Sequence, residues 1–96
     1  MPHPNLSAAR AHDLANDAER ALDIARAAAK WHDMGTAWEA CEAATRAASK
    51  AQTIARRNSE SDPREGRGTF APALRAARMA AMAWTAFADA CDPEVE

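Results

Sequence analysis

The residues of this chain best equipped for chemistry are His32, Cys41 and Cys91. Two thiolates and an imidazole, completed by a carboxylate, are a donor set that suits zinc. Structural zinc sites are built on close Cys-x-x-Cys or His-x-x-x-His pairs, and this sequence has neither, so no metal is assigned. Cys41 and Cys91 can instead be drawn as a disulfide, because both fall on inward helix positions that an antiparallel arrangement would bring to similar height. The simplest account leads: both are small buried thiols, the usual condition of free cysteine in a reducing compartment. A nucleophilic Cys-His pair lacks an orienting Asn and a glycine-built oxyanion loop, so neither catalysis nor a cofactor is expected.

Two further groups of side chains suggest recognition rather than reaction. Trp31 and Trp38 flank the only glycine of the first half, and an exposed tryptophan is a frequent anchor at protein interfaces. The competing account wedges all three tryptophans into the open end of a bundle whose middle is alanine. Arginines gather elsewhere, with Arg56 and Arg57, then Arg64 and Arg67, then Arg75 and Arg78. Together with Gly66-Arg67-Gly68-Thr69 ahead of a helix start they offer a phosphate or nucleic-acid surface. Glu60, Asp62 and Glu65 offset that charge and no aromatic side chain is free among the arginines to stack on bases, so nucleic acid is the second reading.

Composition narrows the field in the same direction. Ninety-six residues allow one domain, 1–96, and no second core. A net charge of −2 and a pI near 5.9 are not those of a dedicated nucleic-acid binder. Hydrophobic residues are 48% of the chain, but most are alanine, and one methyl carries only about 0.8 kcal/mol of transfer free energy. No stretch reaches the ~20 uncharged apolar residues of a membrane span. The opening residues carry no charged segment followed by an apolar core, which makes the cytoplasm the expected location.

The elements that must position these groups are helices. Residues 1–6, with Pro2 and Pro4, form a flexible leader, and strong helix formers run from Ser7 to about Asp33. Gly35 marks a break, and Thr36-Ala37-Trp38-Glu39 has the form of a capping box opening a helix over 36–58. The glycine- and charge-rich segment 59–68 is expected to be a mobile linker, after which Thr69 or Ala71 caps a helix over 70–92 with Pro72 in its first turn. Apolar positions recur at steps of three and four in all three. They run Ala11, Leu14, Ala18, Ala21, Ala25, Ala28, His32 in the first helix, and Ala37, Cys41, Ala44, Ala48, Ala51, Ala55 in the second. In the third they run Phe70, Leu74, Ala77, Ala81, Trp84, Ala88, Cys91. The large residues of the third helix should fill the groove between the other two.

The sequence therefore predicts an all-α protein, an antiparallel three-helix bundle with alanine-rich seams, completed by dimerisation. Its expected role is that of a non-enzymatic interaction module that binds a partner protein. The regulator, adaptor, immunity or antitoxin, and phage-encoded inhibitor types all fit. Trp31, Trp38, Arg64, Arg67 and Arg75 are the candidate contact residues. Phosphate or nucleic-acid binding at the arginine end is one alternative, and a small metal or redox protein using His32, Cys41 and Cys91 is the other.

Overall fold

The computed structural model describes residues 6–61 and 63–92, the side chains of 61 and 63–67 excepted. Three helices account for almost all of it: α1, Leu6–Lys30; α2, Met34–Ser61; and α3, Pro63–Cys91. All three pairs pack against one another, and there is no strand among the described residues. Cross-helix pairs fix the directions. Trp38 and Cys41 near the start of α2 lie against Phe87 and Ala83 late in α3, and Arg75 reaches Asn16 and Glu19 of α1. The order is up, down, up, so the expected bundle is the observed one.

The first turn differs in its chemistry from the expectation. Its break lies at residues 31–33, not at Gly35. Asp33 N donates to Ala28 O at 2.9 Å and His32 N to Ala29 O at 3.0 Å, the crossed pair of bonds that closes a helix on a left-handed residue. That residue is His32, with φ of 57°, a conformation more commonly left to glycine. Asp33 then opens the next helix: its carboxylate Oδ1 accepts from Thr36 N at 3.3 Å, and its carbonyl accepts from Ala37 N at 3.0 Å. Thr36 is thus the third residue of α2 and not its cap, and Gly35 is an ordinary helical position with no positive φ.

The second connection is shorter than expected. Residues 59–61 extend α2 and 63–68 belong to α3, so most of the segment read as a linker is helical. Pro63 fits the first position of a helix, where a missing amide has no bond to lose. Pro72 sits well inside α3 and is buried, and Thr69 is wholly buried beside it. Proline there deprives the Gly68 carbonyl of its usual donor. Of the leader, Leu6 opens α1, while 1–5 lie outside the described residues.

The core is nearly all methyl groups. Among the described residues, the buried hydrophobics are eighteen alanines with Leu14, Leu22 and Cys41. Such small side chains let helix backbones approach closely but remove little area from water per residue. The predicted seams of α1 and α2 are inside, with Ala15, Leu22, Ala29, Ala40 and Ala47 widening them; only His32 leaves the pattern, exposed in the turn.

In α3 the seam is displaced by one residue. Inward positions are Thr69, Ala73, Ala76, Ala80 and Ala83, continued by the half-buried Phe87. One residue is about 100° of rotation, so Phe70, Leu74, Ala81, Ala88 and Cys91 are exposed instead. The cause is space. The facing sides of α1 and α2 are lined with alanine, against which the alanine row of α3 can pack closely while phenylalanine and leucine would hold the helices apart. Its large residues therefore do not fill the central groove as expected.

Candidate interaction surfaces

At the end of the bundle that holds the α1–α2 turn, three aromatic rings meet. Trp38 approaches Trp84 with ring centroids 4.9 Å apart and Phe87 at 5.5 Å, and Trp84 meets Phe87 at 5.9 Å, all edge to face. This is the favourable arrangement of ring quadrupoles. Trp84 Nε1 donates to Thr45 Oγ1 at 2.8 Å, and that hydroxyl donates to the Cys41 carbonyl at 2.9 Å, which fixes the indole on α2. Trp38 remains 47% exposed over this cluster, and Trp31, in the turn, is 78% exposed. Two tryptophans at one end thus keep much of their surface in water, on a backbone held by a helix stop and a helix cap.

The sulfur and imidazole groups are not gathered. Cys41 is buried and its thiol donates to the Ala83 carbonyl at 3.2 Å, while Cys91 is an exposed free thiol. Burial pushes the Cys41 thiol above its ordinary value, because the thiolate would be desolvated. The register that sets Cys41 level with Ala83 puts Cys91 two turns further on, about 12 Å along the axis at 1.5 Å per residue. A disulfide requires Cα atoms within about 7 Å, so the similar height expected of the two cysteines is not realised. His32 is exposed in the turn, and no cluster of three metal-ligating side chains exists among the described residues.

Of the arginine group, only part falls among the described side chains. The side chains of Arg64 and Arg67 lie outside the described residues. Arg75 is turned on to α1, its Nη2 donating to Asn16 Oδ1 and standing 3.8 Å from Glu19 Oε2. It ties α3 to α1 instead of standing free for an anion. Arg56 and Arg78 are exposed.

Phe70 and Leu74 form a surface that the spacing rule assigned to the core. They are 62% and 43% exposed and, with Ala77, form one wall of a groove of about 460 Å³ whose other wall is α2, through Gln52, Ala55 and Arg56. The signal was available in the sequence. Thr69, Ala73, Ala76, Ala80 and Ala83 repeat at the same three-four steps as the larger residues beside them, so α3 carries two apolar seams and only one can face inward.

Compared with models of known families, with curated proteins and with solved structures, the chain matches none. Among the described residues no helix is long and apolar enough to cross a membrane.

Proposed function

We propose that this chain is a non-enzymatic helical interaction module, with the cytoplasm as its setting, that binds a partner protein through the end bearing Trp31 and Trp38. A regulator, adaptor, immunity or antitoxin protein, or an inhibitor acting on another protein, would all work in this way. The observation that carries the reading is the 78% exposure of Trp31 at a turn whose backbone is hydrogen-bonded on both sides. An indole on a fixed backbone has only two side-chain torsions to order on binding and buries a large area, the properties of an interface hot spot. Trp38 adds a second, adjoining apolar surface, already braced by Trp84 and Phe87.

Affinity capture from the native host, done in parallel with the wild type and Trp31→Ala, tests this. Trp31 makes no buried contact that the fold needs, so the variant should stay fully helical and lose a partner that the wild type retains. A hot-spot tryptophan is worth about 2 kcal/mol or more, roughly a thirtyfold weakening. Equal capture of the same proteins by the wild type, Trp31→Ala and Trp38→Ala would remove the aromatic end as the binding surface.

A further inference from the structure

We propose that the second apolar seam of α3 is an interface for another copy of this chain, packed antiparallel about a two-fold axis at Ala81. The inference takes the interaction-module reading as its premise and names one partner and its surface. The seam runs from Phe70 to Cys91 at steps of four and three, about six helical turns, and its first residues, Phe70, Leu74 and Ala77, line the α2–α3 groove.

Read against its own reverse, the seam is complementary in volume. Antiparallel copies centred on Ala81 set Leu74 level with Ala88 and Phe70 within one residue of Cys91, with Ala81 meeting itself on the axis. The two exposed bulky side chains of the seam, Phe70 and Leu74, each face a small one, which is how two helix surfaces interdigitate without voids. A parallel pairing would set Phe70 on Phe70 and Leu74 on Leu74 and leave gaps at Ala81 and Ala88. A self-complementary patch of this kind is what a two-fold interface requires, because each contact must occur twice.

Charge agrees with the same direction. Asp89, in the last turn of α3, is exposed. That is opposite to what the helix macrodipole favours, which is acid early and base late. Reversal lays Asp89 of one copy level with Ala73 of the other, in the groove that Arg56 lines. It also brings the electronegative C-terminal end of one α3 to Phe70 of the second copy, where Arg56 lines the groove wall.

Light scattering with sedimentation velocity over a range of concentrations tests the proposal, with the wild type expected at twice the 10.3 kDa chain mass. Ala81→Arg replaces an exposed residue by a good helix former and sets two like charges on the axis. Helical circular dichroism should be unchanged and association weakened at least about tenfold. Phe70→Cys gives an independent readout, a disulfide with the native Cys91. Within one chain these positions are about 32 Å apart along α3, so the bond must join two copies. A wild type that stays at the single-chain mass, a dimer unaffected by Ala81→Arg, or failure of the Phe70→Cys chain to cross-link at Cys91 would each overturn the interface. A monomer that still captures a partner through Trp31 would defeat this proposal and spare the preceding one. A dimer whose captured proteins are indifferent to Trp31 would do the reverse.

Discussion

Cys41 and Cys91 share a side chain but not an environment, and their reactivities should differ accordingly. Cys91 is exposed and should be alkylated at neutral pH, whereas Cys41, buried with its proton on the Ala83 carbonyl, should react only when the chain unfolds. Mass spectrometry after timed alkylation, with and without denaturant, separates the two. The raised affinity of Cys41 for its proton also links to stability. The unfolded thiol ionises first, so stability is intact below the ordinary thiol range and falls as pH rises through it toward the folded value. Cys41→Ala should flatten that part of the urea-stability profile against pH. At the turn, a side chain added at Gly35 meets nothing within 4 Å. Gly35→Ala should therefore raise stability by about 0.5–1 kcal/mol. His32→Gly should raise it by about 1 kcal/mol by relieving the left-handed backbone, and Asp33→Ala should lower it by about 1 kcal/mol through loss of the cap. An unchanged midpoint in all three would contradict the turn as described.

At the scale of the helix, the phase of α3 is the feature to test. Ala80 faces inward and Ala71 outward. Ala80→Leu should cost about 1–3 kcal/mol by overpacking, and Ala71→Leu should stay within about 0.5 kcal/mol, as read by denaturant midpoints. The reverse order would contradict the phase of α3 described above. The same helix shows where sequence reading succeeds and where it stops. The seams of α1 and α2 were legible because each has one alanine row, broken only by Leu14, Leu22 and Cys41. In α3 two rows lie one residue apart, and preferring the larger side chains picks the wrong one, since the choice depends on how closely the neighbouring helices approach. The turn was misplaced for a local reason: Gly35 and the Thr36–Glu39 pair form a valid capping pattern, but His32 takes the left-handed position that no residue type announces. Helix in 59–61 and 63–68 was masked by charge and glycine, although Pro63 was a start signal. Of the candidate contacts, Trp31 and Trp38 are exposed as an interface would need, and Arg75 is committed to α1.

For the molecule as a whole, the division of side chains is unusual in that the methyl groups are inside while Trp31, Trp38, Phe70 and Leu74 keep large parts of their surface in water. A core of this kind removes little apolar area per residue, so partner binding should contribute visibly to stability. A self-associating chain should show a melting temperature that rises with protein concentration, and a monomer should not. The alanine interior has one more consequence, for tolerance to mutation. In most proteins a buried position rejects polarity more strongly than size. Between helices this close, added volume cannot be accommodated, whereas a serine hydroxyl can turn back to a carbonyl of its own helix, as Thr45 does to the Cys41 carbonyl. Ala44→Ser should therefore cost about 1 kcal/mol or less and Ala44→Leu distinctly more. A saturation scan scored by folded yield should rank substitutions at positions such as Ala18, Ala44 and Ala76 by the bulk of the new side chain before its hydrophobicity. Substitutions that a hydropathy scale regards as conservative would then be the damaging ones.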